Sequence, residues 1–119
     1  MKEQSEARLL RIFIGETDKI SHVPVYEKIV SEAKSLHLAG ATVYKGIMGF
    51  GGSSIIHTRK IFELSDDLPL VIEIVDDEKK IDSFIPIIER IFEEANCGGL
   101  FTIEKATIVK YNATVKKED

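Results

Sequence analysis

Cysteine, glutamine, asparagine and surplus positive charge are all scarce in this 119-residue chain. A lone cysteine, Cys97, excludes an internal disulfide framework and fits a reducing cytoplasm. Its ordinary reading is a small buried filler at a helix end. No apolar run approaches the roughly 20 residues that a membrane helix needs. The opening MKEQSEARLL carries charges where a signal peptide would have its apolar centre. A cytoplasmic protein without direct membrane insertion is therefore expected. A net charge of -4 leaves no basic face for a nucleic-acid grip. Gln4 is the sole glutamine, and Asn96 and Asn112 are the only asparagines; with abundant Glu and Lys, this bias is that of thermophile proteins.

Catalytic constellations are equally sparse. His22, His37 and His57 fall in a loop, at a helix end and in a second loop, and no pair has the spacing of a metal-ligand motif. No metal site is expected. GGSS, ending at Ser53 and Ser54, is not a nucleophile elbow and has no evident base. No catalytic residue is assigned. The pairs Asp66–Asp67 and Asp76–Asp77 read as capping or solvated groups.

What the chain does contain is a clear order of elements within one domain, residues 1–119. Leu9 to Ile14 alternates as a strand does, with Leu10, Ile12 and Ile14 on one side and Arg11 and Phe13 on the other. After Pro24, the residues Tyr26, Ile29, Val30, Ala33 and Leu36 mark a helix face that Gly40 would end. A second strand is expected from Ala41 to about Phe50, and a polar loop from about Gly51 to Asp67. LPLVIEIV, Leu68 to Val75, is the third strand, and Asp76 and Asp77 can cap the helix after it. That helix carries Ile81, Phe84, Ile85, Ile88, Ile91, Phe92 and Ala95 on one face and stops at Gly98 and Gly99. Pro86 either kinks it or lies in a first turn that begins near Asp82. LFTI and TIVKY complete the chain. The order β-α-β-β-α-β predicts an α+β, ferredoxin-like sandwich: a four-stranded antiparallel sheet with two helices on one face. Phe13, Val71 and Val75 point to the other face, and apolar residues there imply an oligomer.

The glycines need their own account. Gly46, Gly49, Gly51 and Gly52 fall within seven residues, and each costs conformational entropy without offering a side chain to pack. Either the chain bends sharply there or something approaches its backbone. Glycine-rich turns can form anion-binding concavities from successive amides, and Gly98–Gly99 supplies a second such turn. Lys110 or Arg59 could add positive charge.

Three passages carry a resemblance: GATVYKGIMGFG, then VIEIVDDE, then GGLFTIEKATIVKY. They look like the PII signal-transduction proteins, and the match is closer to a PII-like group, domain-of-unknown-function family 190. That family's pattern GATV..GI.GFG.SS.IHT, followed by DLP..IEIVD, is present here at Gly40 to Thr58 and Asp67 to Asp76, and the likeness runs from Leu9 to Tyr111. It implies a homotrimer binding an adenine nucleotide, AMP or ADP, in intersubunit clefts. It implies a nucleotide site built from Gly46, Gly49, Phe50, Gly51, Gly52, Gly98, Gly99 and Lys110. It further implies a non-enzymatic regulator that relays the bound nucleotide through the 51–67 loop to a partner, a membrane transporter or channel being the kind suggested. The chain departs from the PII pattern in a short turn from Asn96 to Leu100 that lacks a lysine, and in a missing arginine near Ile108. With fewer cations, AMP or ADP is expected to bind at least as well as ATP. The 51–67 loop holds no tyrosine, so uridylylation has no acceptor there. Two other classes stay open: a trimeric metal-tolerance-like or ligand-free interaction module, and a phosphate-ester hydrolase. The second is disfavoured because the loop GETDKISH offers Lys19 and no arginine.

Overall fold

The computed structural model describes residues 2–51, 57–60, 63–64 and 67–114. Four strands form the main sheet: β1 (Lys2–Gly15), β2 (Thr42–Lys45), β3 (Pro69–Asp77) and β4 (Leu100–Tyr111). Two helices, α1 (Val25–Ser35) and α2 (Glu78–Ala95), complete the β-α-β-β-α-β order. The strands lie in the order β2-β3-β1-β4 and every pairing is antiparallel, so the ferredoxin-like sandwich expected from the sequence is the observed fold.

Alternation in the two central strands sets the layers. Leu10, Ile12 and Ile14 of β1 lie opposite Ile74, Ile72 and Leu70 of β3, and all six are buried under the helices. Val25, Ile29 and Ala33 of α1 and Ile81, Phe84, Ile88 and Ile91 of α2 meet them from above. Phe92 and Phe101 extend the core towards β4, their rings edge to face with centroids 5.6 Å apart. On the helix-free face, register aligns Tyr44, Val71, Phe13 and Leu100 in one row across all four strands.

Several boundaries differ from the sequence reading. β1 begins at Lys2 rather than Leu9, while β4 runs unbroken from Leu100 to Tyr111 as the single last strand expected. The added length is a two-stranded ribbon: β3 joins β1 only from Ala7 onwards, while residues 2–6 pair with β4 alone. Lys2 to Glu6 holds no apolar residue, so the alternation that marks a half-buried strand is absent from the sequence there. β2 stops at Lys45 instead of running to Phe50. There the Gly46 amide donates to the Pro69 carbonyl at 2.7 Å, and Met48–Gly49 leaves to pair with His57–Thr58. The 51–67 segment is thus not only loop, since His57–Lys60 also pairs with Glu63–Leu64.

Helix ends were misplaced for one reason. Gly40 does not terminate α1; His37 takes the left-handed conformation (φ 60°), and the Leu38 amide donates to the Ala33 carbonyl. Asn96 (φ 51°) does the same for α2, with the Cys97 amide reaching Phe92, so Gly98 and Gly99 follow a helix already closed. Pro86 lies in the interior of α2, which starts at Glu78, and the first-turn alternative falls away.

Candidate functional site

The sheet has two chemically distinct ends. At the first lie the ends of β1 and β2 and the starts of β3 and β4, which gather Gly15, Gly46, Gly49 and the Gly98–Gly99 turn. Phe50 here is 70% exposed, beside an exposed Ile47 and Met48. Gly52 lies outside the described residues, as do the side chains of His57 and Arg59.

The glycines separate into two groups. A Cβ on Gly46 would meet the Pro69 ring at 2.8 Å, and one on Gly49 would meet it at 3.1 Å. On Gly99 it would meet the Phe92 ring at 2.6 Å and the Phe13 carbonyl oxygen at 2.8 Å. Packing inside the chain accounts for these three. Gly40, Gly51 and Gly98 have nothing within 4 Å of that position, and no described glycine has positive φ. Neither crowding nor left-handed backbone explains them. Bare backbone at these points faces outward.

At the other end, on the helix-free face, an open groove of about 470 Å³ runs between the α1–β2 loop and the tail of β4. Its apolar wall is Leu9, Val75 and Ile108; Ala39 to Thr42 form the opposite rim, and Glu73 and Lys110 bring charge. Roughly 35 Å of extended strand separates Lys110 from Gly99, and none of Gly46, Gly49, Gly98 or Gly99 lines the groove. Within one chain, Lys110 does not join the glycine turns.

Sequence reasoning missed most of this groove. Its rim is fixed by Asp76, which is 4% exposed and accepts from the Ala39 amide at 2.9 Å and from the Asp77 amide at 2.6 Å. Asp76 is therefore a buried tie to the α1–β2 loop and not a cap for α2. The Tyr111 hydroxyl donates to the Ala39 carbonyl at 3.4 Å, and Lys80 Nζ donates to that of His37 at 3.2 Å. Also missed was Arg11, whose Nε donates to Glu73 Oε2 and whose second nitrogen donates to Glu104 Oε1, each at 2.8 Å. The bond to Glu73 holds the guanidinium above its usual range. The signal was present: Arg11 is a charge at mid-strand, and antiparallel register sets it opposite Glu73.

Near the glycine end, Asp18 Oδ2 accepts from the Gly15 amide at 2.9 Å and Asp67 Oδ1 accepts from the Thr17 amide at 3.0 Å. Burial raises the Asp18 carboxyl above the ordinary value; the Gly15 amide opposes this and the Asp67 charge adds to it. A raised carboxyl favours the protonated fold, so this group's stabilisation is full below the unfolded value and is lost as pH climbs through the folded one. Asp18→Asn keeps an acceptor for Gly15 without the charge. It should melt at a higher temperature than wild type at pH 7, with the gap closing as pH falls into the carboxyl range. Thermal melts across that range check this.

Half-buried Cys97 has its thiol pushed up by burial, with Asp18 adding to the effect, which suits packing rather than nucleophilic attack. No group of three or more His, Cys, Asp or Glu among the described residues could hold a metal ion. No helix among them is long and apolar enough to cross a membrane.

Comparison with known proteins places these features. Residues 7–108 match the DUF190 family, described as "Uncharacterized ACR, COG1993". A UPF0166 protein of Aquifex aeolicus is 38% identical over 102 residues, covering 86% of this chain and 92% of its own. A UPF0166 protein of Methanocaldococcus jannaschii is 35% identical over 105 residues, covering 88% and 94%. Among solved structures, CPII, a nitrogen regulatory PII-like protein from Thiomonas intermedia K12 bound to ADP, AMP and bicarbonate, superposes with a TM-score of 0.68 at 15% identity, covering 91% of this chain and 92% of that one. Its apo form gives a TM-score of 0.60 at 14% identity, covering 89% and 95%. The match across 7–108 and the curated relatives establish that the chain belongs to the DUF190 (UPF0166) family, with the ferredoxin-like fold of PII-like proteins.

Proposed function

We propose that this protein is a non-enzymatic, PII-like cytoplasmic regulator that binds AMP or ADP in clefts between the subunits of a homotrimer. The reading rests on three glycines that no described residue crowds and no positive φ requires. Gly40 rims the groove, while Gly51 and Gly98 flank the other end of the sheet. Each is half of a site. A groove of this size suits a small ligand, with Leu9, Val75 and Ile108 offering apolar surface to a base and Lys110 a cation to a phosphate. The glycine turns offer amides to the remaining phosphate oxygens. One nucleotide touches both halves only if they come from two subunits, and the row Tyr44, Val71, Phe13 and Leu100 gives the helix-free faces apolar surface with which to associate. CPII supports the ligand class, since its structure is described as bound to ADP and AMP.

The 51–67 loop leaves from the glycine end, so cleft occupancy reaches it directly. A ligand shifts that loop only by binding one of its states better than another. A transporter or channel is the partner proposed. Among the site residues expected from the sequence, Phe50, Gly51, Gly98 and Lys110 are proposed to meet the nucleotide, while Gly46, Gly49 and Gly99 serve first to let the chain pack.

Titration calorimetry with AMP, ADP and ATP tests the proposal. AMP or ADP should bind at least as tightly as ATP, because Lys110 is the cation offered to the phosphates in the groove, and an uncompensated phosphate carries a desolvation cost. Lys110→Ala should weaken ADP more than AMP. Absence of binding by all three would leave a ligand-free interaction module.

A further inference from the structure

We infer that Arg11 is a positioning residue that neutralises and pins Glu73 so that the groove admits an anionic ligand beside Lys110. The inference rests on the nucleotide reading above. Glu73 lines the groove, and a free carboxylate there would repel the phosphates that Lys110 attracts. Arg11 does not line the groove. It reaches Glu73 from the neighbouring strand at 2.8 Å and holds Glu104 with its other arm, also at 2.8 Å. The row Thr42, Glu73, Arg11 and Thr102 contains no other charge on this face, and the next row places Glu104 opposite Leu9. With Arg11 present, Glu73, Glu104, Arg11 and Lys110 sum to zero; without it they sum to one negative charge. Arg11 also fixes where Glu73 points, since its Nε bonds a single oxygen of that carboxylate and its planar fork sets the direction.

The consequence is a charge-graded effect. Removing Arg11 should leave neutral adenosine nearly untouched, weaken AMP, and weaken ADP most. Each added ligand charge at about 6 Å should cost on the order of threefold in affinity, from Coulomb's law at a dielectric close to that of water, as suits an open groove. A purely structural role predicts equal losses for all three ligands.

The test is calorimetric titration of adenosine, AMP and ADP into wild type, Arg11→Met and the double variant Arg11→Met/Glu73→Gln. Thermal melts and light scattering on each confirm fold and assembly. The expected result is a loss in Arg11→Met that grows from adenosine to ADP, with the double variant recovering most of the ADP affinity because the missing cation no longer leaves an unpaired carboxylate. Equal losses across the ligands, or no recovery in the double variant, would overturn the role given to Arg11 while leaving nucleotide binding intact. Failure of folded wild type to bind any of the three would overturn both readings. If Arg11→Met alone does not fold, the same ligand series on Arg11→Gln and on Glu73→Gln decides the matter. Glu73→Gln should then bind ADP at least as tightly as wild type, and weaker ADP binding would overturn the inference.

Discussion

Gly99→Val should lower the stability of the fold by about 3 kcal/mol, the upper part of the range for overpacking a tight core, whereas Gly98→Val should stay within about 0.5 kcal/mol of wild type. The two glycines are neighbours in sequence and identical in composition, so the contrast isolates their surroundings. At Gly99 even the first added carbon meets the Phe13 carbonyl oxygen, a backbone atom in the last pair of the β1–β4 ladder, and the Phe92 ring. Phe92 cannot retreat freely because its ring is held edge-on against Phe101. The start of β4 would have to move away from β1. At Gly98 there is nothing within 4 Å to displace and no left-handed backbone to strain. Paired denaturant melts give the comparison. Similar midpoints for the two variants would mean that Phe92 and the strand end yield far more easily than their contacts suggest.

That contrast also shows where the sequence was legible. Leu10, Ile12 and Ile14, the run Leu70, Ile72 and Ile74, and the face Ile81, Phe84, Ile88 and Ile91 carry strong periods, because each element buries one side; architecture followed from them directly. The ribbon part of β1, Lys2 to Glu6, carries no such period because it contains no apolar residue. Helix ends were misjudged because His37 and Asn96 adopt the left-handed conformation usually given to glycine, which left Gly40, Gly98 and Gly99 free for other uses. The candidate site was only partly readable. Glycine spacing signalled it, but spacing does not separate a glycine crowded by Pro69 from one with open space around it. The groove was hidden because its members come from Leu9, the α1–β2 loop, β3 and the end of β4, and only the sheet register brings them together. Asp76 was mistaken for a cap for the same reason: its partner, Ala39, lies 37 residues away in sequence.

The largest functional effect expected is recovery of nucleotide binding when two defective chains are mixed. Gly98→Val damages the glycine turn and leaves the groove intact; Lys110→Ala damages the groove and leaves the turn intact. If a nucleotide bridges the turn of one copy and the groove of the next, each variant alone is defective in every cleft, with ADP weakened roughly tenfold or more when a charge-assisted contact or the backbone approach is lost. Co-refolding or co-expression gives rings in which some clefts pair the good turn of a Lys110→Ala chain with the good groove of a Gly98→Val chain. In a head-to-tail ring assembled at random from equal amounts, about a quarter of the clefts are of that kind and should bind ADP with wild-type affinity. Two distant residues of one chain cannot give this outcome, because a site contained within a subunit stays broken in every copy. The separation of Lys110 from Gly98 across the sheet is what makes the experiment decisive. A titration of the mixed protein should show a tight class of sites near one quarter of the total, absent from either parent. Mixed rings with no tight class would place both halves of the site on the same chain, or would remove one of the two residues from it.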